Sequence, residues 1–279
     1  MSERIIKGLV PSFHQSFLPE RRHLAALLSA ASQGFAGTVD AISERTGIPT
    51  GKSSGKVVPH LKYAQAMGLL NSTSADLGIY ELQPTILGHI VNVEDPVLNE
   101  PFTQLILHLM LSRPHGGSSL WHILFGRSRI TLGRQFSQEA ATAFLTLELG
   151  NSTSIPGPLF STYRENSSLA RTAMLTVEKN MITRGSLPPL AEYFWGYAYC
   201  WLRSWEQVAP NEQQLSSTQV EALTTFEELT GWPSQKMEEF VSWAIDQQVL
   251  RVDRQTGVPL YMKTASSADI ASKIYLGML

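Results

Sequence analysis

Apolar positions recur at helical spacing from the first well-patterned stretch onward. In "PERRHLAALLSAAS" (residues 19–32), Leu24, Leu27 and Leu28 fall on one face, and Gly34 and Gly37 end the pattern. "TVDAISERTG" predicts a short helix with Thr38 as N-cap, Val39 and Ile42 inward and Gly47 as stop. "KVVPHLKYAQAMGLL" predicts a second helix with Val57, Leu61, Ala64 and Met67 on one face, and Pro59 confines its start to that region. Ile79-Tyr80-Glu81-Leu82 then alternates like a strand behind the turn signal Asp76-Leu77-Gly78. Helix, short helix, turn, helix and hairpin in this order is the layout of a winged helix-turn-helix, with an exposed third helix expected to do the reading.

Farther along, "VLNEPFTQLILHLML" (97–111) predicts a buried helix, broken by "SRPHGGSS". "NSTSIPGPLFSTYRENSS" is expected to be loop and "LARTAMLTVEKNMI" helix. "LAEYFWGYAYCWLRSWEQ" predicts an aromatic core helix, and "APNEQQ" a linker. The last stretch repeats the first in outline: "FEELTGWPS" matches "ISERTGIPT", with Gly47 and Gly231 each after a threonine and two before a proline. The expectation is a mainly α protein in which two winged helix-turn-helix units (19–95 and 209–279) flank a central helical region (96–208).

"GIPTGKSSGK" (47–56) invites comparison with the nucleotide-binding P-loop. Only three residues separate Gly47 from Gly51, one too few, and amphipathic helix rather than strand precedes it. What survives is a helix N-terminus carrying Gly, Ser and Lys, which offers N–H groups and positive charge to a phosphate of a DNA backbone.

Charge sharpens this. Net charge is −2, so no global field draws the chain to nucleic acid. Between Arg45 and Ala75, however, there is no Asp or Glu, and Arg45, Lys52, Lys56 and Lys62 stand with His60 and seven Ser or Thr. The expected DNA contacts are Arg45, Thr50, Lys52, Ser53, Ser54, Lys56, His60 and Lys62; the plain alternative is a solvated helix face. A second acid-free window, residues 101–138, holds Arg113, Arg127, Arg129 and Arg134. These could extend a nucleic-acid track, bind an acidic partner or pair with glutamates elsewhere. The C-terminal unit instead carries Glu227, Glu228, Glu238, Glu239 and Asp246, which would repel phosphate and suit packing or protein contact.

Signatures of chemistry are absent. His108, His115 and His122 are seven apart, but Pro114, Gly116 and Gly117 break the helix that would align them, so no metal site is expected. Cys200, the single cysteine, sits among aromatics and reads as buried and inert. No G-x-S-x-G, H-E-x-x-H or G-x-G-x-x-G occurs, so neither enzyme activity nor a cofactor is expected. Phe13, His14 and Phe17 read as a hydrophobic staple onto the first helix, or alternatively as a groove-seeking arm backed by Arg21 and Arg22. The lack of a signal-like apolar run or a spanning segment, with one cysteine, points to the cytoplasm and no membrane.

"PSFHQSFLPERRHLAALL" and "TGIPTGKSSGKVVPHLKYAQAMGLL" together resemble a bacterial family of uncharacterised domain type, most firmly over residues 11–95. Its genes lie beside sulfur-transfer genes related to phosphoadenylylsulfate reductase, in DNA phosphorothioation and phage-defence clusters. The resemblance implies a non-catalytic subunit that presents or recognises double-stranded DNA for a partner sulfur-transfer enzyme, with homodimerisation left open. A winged-helix transcription regulator and a protein-only assembly scaffold are the competing readings.

Overall fold

The computed structural model describes residues 9–51, 55–75, 78–150, 156–255 and 257–278. The chain is mainly α-helical, with three small antiparallel sheets of three strands each among the described residues.

The first sheet forms as the apolar pattern predicts. Helix α1 (Arg21–Ser32) buries Leu24, Leu27 and Leu28 completely. After strand β1 (Ala36–Gly37), helix α2 (Val39–Thr46) starts on the Thr38 side chain, which accepts from the Ala41 N–H at 3.3 Å, and buries Ile42. Gly47 ends α2 at φ 70°, the left-handed conformation that favours glycine. Helix α3 (Val57–Ala66) begins late enough that Pro59 falls in its first turn, where its missing N–H costs nothing. Strands β2 (Leu70–Ala75) and β3 (Ile79–Pro84) form a hairpin, and β1 pairs with β3, giving the order β1-β3-β2.

Helices α4 (Ile86–Glu94) and α5 (Pro101–Ser112) follow. Every residue of α5 after its first is buried, as its uninterrupted apolar run requires. A short α6 (Ser119–His122), a π-helical turn (Ile123–Arg127) and α7 (Arg129–Leu132) lead into a second sheet. That sheet overturns part of the expectation for the middle region. Strand β4 (Gln135–Ser137) precedes α8 (Gln138–Leu149) and α9 (Gly157–Arg164), and a hairpin of β5 (Leu175–Glu178) and β6 (Met181–Arg184) closes it in the order β4-β6-β5. The expected loop therefore contains α9, and the expected helix "LARTAMLTVEKNMI" contains a hairpin turning at Lys179, whose φ is 53°. Thr176, Val177, Ile182 and Thr183 are β-formers in cross-strand register, Thr176 with Thr183 and Val177 with Ile182.

The aromatic helix α10 (Phe194–Val208) is buried along most of its length and leads to β7 (Gln214–Ser216), α11 (Ser217–Thr224), α12 (Phe226–Thr230) and α13 (Ser234–Asp246). Strands β8 (Leu250–Asp253) and β9 (Leu260–Lys263) complete a third sheet, order β7-β9-β8, before a last short helix α14 (Ser267–Ile270). Trp201 packs on Phe226, Phe240 and Tyr261 with ring centroids 5.7–5.8 Å apart, which ties α10 to the third sheet's helices. Each of the segments 19–95, 96–208 and 209–279 thus carries one sheet of the same strand order, and one apolar cluster runs continuously from Phe13 to Tyr275.

The repeated T-G-x-P is one local structure used twice. Thr46 donates its hydroxyl to the Ile42 carbonyl (2.6 Å) and accepts from the Ile48 N–H (3.4 Å). Thr230 does the same with the Glu227 carbonyl (2.9 Å) and the Trp232 N–H (3.3 Å). Gly47 and Gly231 are both left-handed, and the Ile48 and Trp232 side chains turn inward behind them. Among the described residues no helix is long and apolar enough to cross a membrane.

Candidate nucleic-acid interface

The segment from the end of α2 to α3 is closed into a loop by the Lys56 N–H, which donates to the Pro49 carbonyl at 2.9 Å. Its expected phosphate ligands fare differently. Lys52, Ser53 and Ser54 lie outside the described residues. Thr50 is exposed at the start of the loop. Arg45 is exposed at the end of α2, where it donates to Gln33 Oε1.

Lys56 turns toward the protein. Its ammonium lies 2.5 Å from Glu20 Oε1 and 5.6 Å from the centre of the Phe17 ring. The same carboxylate takes Arg22 Nη2 at 3.1 Å. Burial alone would raise the Glu20 pKa. The hydrogen bond from Lys56 and the charges of His23, Lys56 and Arg22 outweigh it and hold the carboxyl below its usual range.

His60 is a correction to the expected contact set. It is wholly buried, and its Nδ1 lies 2.7 Å from the Lys56 carbonyl, to which it donates. Its Nε2 therefore accepts, from the Glu20 N–H at 3.2 Å. Burial lowers its pKa to about 4, so the ring is neutral near pH 7. The physical reason is the packing of α3. The turn at Pro11–His14, α1 and α5 cover it, and Val57, Pro59, Leu61, Tyr63, Ala64 and Ala66 are all buried. The exposed third helix expected from the sequence is reduced to a half-buried edge of Val58, Lys62 and Gln65. Gln65 donates to the Ser72 carbonyl (2.9 Å), and Lys62 makes no ion pair among the described residues.

Helix α3 is held from its N-terminal side by the staple residue. Phe13 packs edge-on against Tyr63 (4.7 Å) and near Trp121 (6.2 Å), while the Tyr63 hydroxyl donates to the Phe17 carbonyl (2.9 Å). Phe13 thus fastens α3 and Trp121, where the sequence predicts a staple onto the first helix, and the groove-seeking alternative loses Phe13 and His14 to the core.

The second basic window is not one surface. Arg113 is buried: it donates to the carbonyls of Ala66 (2.6 Å), Met110 (2.5 Å) and Gly116 (3.2 Å) and to Gln207 Oε1 (3.1 Å). It fastens the end of α3 to the turn after α5; buried, and with four of its five N–H donors committed to the protein, it is not placed to meet a phosphate. Arg127 is exposed and paired with Glu148 at 3.0 Å. Arg129 is half-buried, with Nε donating to the Glu228 carbonyl at 2.6 Å. Arg134 is exposed. In the third unit Glu238, Glu239 and Asp246 lie on the exposed face of α13.

Of the other candidates, Cys200 is buried, and burial pushes its thiol up to about 12. His108 and His122 are buried and each is occupied by protein groups: His108 Nδ1 meets the Tyr163 hydroxyl at 2.6 Å, and His122 Nδ1 the Ser112 carbonyl at 3.1 Å. The sequence reading missed a different grouping, in which ligand atoms of Glu20, His23 and His60 gather within 4.8 Å. Lys56 already lies on that carboxylate, so a cation is present there in the form of its ammonium.

Two solved structures are similar to the chain. The fold is shared with SspB. A crystal structure of SspB aligns with a TM-score of 0.65 at 14% identity, covering 96% of this chain and 88% of that one. A magnesium-ion-bound crystal structure of SspB aligns with a TM-score of 0.58 at 17% identity, covering 96% and 87%. At these identities the likeness is one of fold alone. No family model and no curated relative matches the sequence.

Proposed function

We propose that the protein is a DNA-binding subunit of a DNA sulfur-modification system, in which each three-stranded unit is a winged helix and the first one meets the duplex. The observation that carries this reading is local. The stretch from Arg45 to Ala75, which has no carboxylate of its own, supplies the loop, helix and strand of a single unit, with Arg45, Thr50 and Lys62 at its surface. A duplex backbone needs cationic side chains at the surface that meets it, because neutralised phosphates supply most of the affinity. Lys52, Ser53 and Ser54 belong to the same proposed surface. Lys56 contributes weakly, since Glu20 already neutralises it, and His60 not at all.

The sulfur-modification context rests on the sequence resemblance and is supported by the fold likeness to SspB, a protein of a phosphorothioation system. The partner under this reading is the sulfur-transfer enzyme, and the acidic α13 face suits a protein contact. One observation favours the scaffold reading instead: the Lys56–Glu20 pair removes a central cation from the basic segment.

Titration of a labelled duplex at several salt concentrations tests the proposal. The logarithm of affinity is expected to fall linearly with the logarithm of salt, by about 0.9 per phosphate neutralised. Lys62→Ala and Arg45→Ala should each shallow that slope. Salt-insensitive binding, or none with or without the sulfur-transfer enzyme, would overturn it.

A further inference from the structure

A cavity of about 500 Å³ opens between α7, the end of β6 and α12, lined by Arg129, Arg134, Arg184, Ser186, Glu228 and Gly231 among others. That is a small-molecule size. Three of these residues are cationic, and Glu228 is the only carboxylate among the lining residues. Arg184, at the end of β6, is 1% exposed. Its Nη2 donates to the Leu124 carbonyl (2.9 Å) in the π-helical turn and to Ser128 Oγ, and its guanidinium lies 5.0 Å from the centre of the Phe136 ring. These contacts fix the guanidinium plane. They leave Nε and Nη1 of Arg184 without a partner among the described residues, and Nη2 of Arg129 is likewise unpartnered.

Arg129 is set in place by the repeated turn. Its Nε donates to the Glu228 carbonyl, and its guanidinium lies against Gly231, where a Cβ would stand 2.3 Å from Nη2. Glu228 Oε2 is 3.9 Å from Arg129 Nε, beyond hydrogen-bond distance, so the one carboxylate answers the charge incompletely. Burial, and after it the Arg129 charge, lower the pKa of Arg184 to about 10 against the opposing pull of Glu228. At neutral pH both guanidiniums remain charged.

Two like charges held together with three unused donor nitrogens are costly unless something answers them. A water can accept a hydrogen bond, but it does not offset charge. A tetrahedral oxyanion offsets charge, and guanidinium forks match its geometry. We propose that this cavity is a phosphate-binding site, in which the accessible part of Arg129 and the exposed Arg134 meet the phosphate oxygens and the buried Arg184 guanidinium supplies fixed positive charge from the cavity wall. The phosphate is that of a free phosphorylated small molecule or of a nucleic-acid backbone. The proposal stands on the cavity alone and does not depend on how the first unit meets DNA.

The test is calorimetric titration of the full chain with inorganic phosphate against chloride at matched ionic strength. Saturable binding specific to phosphate is expected. Arg184→Gln removes a buried hydrogen-bonding group and can unfold the chain, so two exposed positions serve as readouts. Arg134→Ala should weaken phosphate several-fold. Ser186→Asp, which places a carboxylate at the cavity edge, should weaken it about tenfold or more while circular dichroism stays unchanged. Absence of phosphate-specific binding, or identical binding by the folded Ser186→Asp variant, overturns the site. A nucleoside monophosphate and a short duplex separate the sources. Parallel loss of both ligands in Ser186→Asp assigns the site to a backbone phosphate. Loss of the monophosphate alone assigns it to a free phosphate compound. Phosphate binding by a protein that binds no duplex would sink the DNA proposal and leave this site standing.

Discussion

Lys56 Nζ lies 2.5 Å from Glu20 Oε1, so the lysine that the sequence places at the tip of a recognition helix is neutralised by the turn before α1. Lys56 is 29% exposed and Glu20 14%, enough shelter for the pair to persist at moderate salt. Replacing Glu20 with Gln frees the ammonium. If the basic segment meets phosphate, Glu20→Gln should tighten duplex binding several-fold and steepen its salt dependence by close to one phosphate. Fluorescence anisotropy at two salt concentrations checks this. Unchanged affinity would exclude Lys56 from the contact surface.

The twin turns at Thr46-Gly47 and Thr230-Gly231 make a paired experiment. Thr46→Val and Thr230→Val each remove a hydroxyl that bonds one helix carbonyl and one N–H, and each should cost about 1 kcal/mol in denaturant unfolding. The glycines should part company. Gly47→Ala meets nothing within 4 Å and should cost only the left-handed backbone, about 1 kcal/mol. Gly231→Ala must also displace Arg129, so it should cost more and should reduce phosphate uptake by the cavity as well.

Arg113 should behave as a structural residue. Its replacement by Met leaves the Ala66, Met110 and Gly116 carbonyls without their donor, at a cost of about 2–4 kcal/mol in unfolding free energy. Under conditions where the variant is folded, duplex affinity should equal that of the parent chain. A marked loss of affinity without loss of stability would return Arg113 to the nucleic-acid track.

The first unit was readable because its signals are local. Thr38, Ile42 and Gly47 act within one turn of α2, and the capping and αL geometry follow from residue type. The burial of His60 was not readable. Helical periodicity gives faces, but α3 is covered from several sides by elements distant in sequence, including Phe13 and Trp121. The hairpin at residues 175–184 was missed because its turn, Lys179-Asn180, uses a non-glycine left-handed residue. Arg184 was invisible for a related reason. Its significance lies in Leu124 and Ser128, which no spacing rule connects to it.

Four of the five buried histidines among the described residues set an acid limit on the fold, and the pKa of the fifth, His23, is also lowered by burial. His14, His60 and His122 have pKa values lowered to about 4, and His108 to about 3, each chiefly by burial. In the unfolded chain the same rings titrate near pH 6.5. A lowered folded pKa means that the stability is fully present above about pH 6.5 and is lost as pH falls toward the folded values. Between those limits the unfolded state binds up to four more protons than the native one. Each proton contributes a slope of about 1.4 kcal/mol per pH unit, so stability should fall by roughly 5 kcal/mol per unit near pH 5. Glu20, held below its usual range, adds a loss at lower pH still. Urea unfolding at closely spaced pH values from 7 to 4.5 measures the slope. His108→Gln keeps a partner for Tyr163 and should remove one proton from it. A flat profile over that interval would mean that these rings accept protons in the native state, and would contradict their placement in the core.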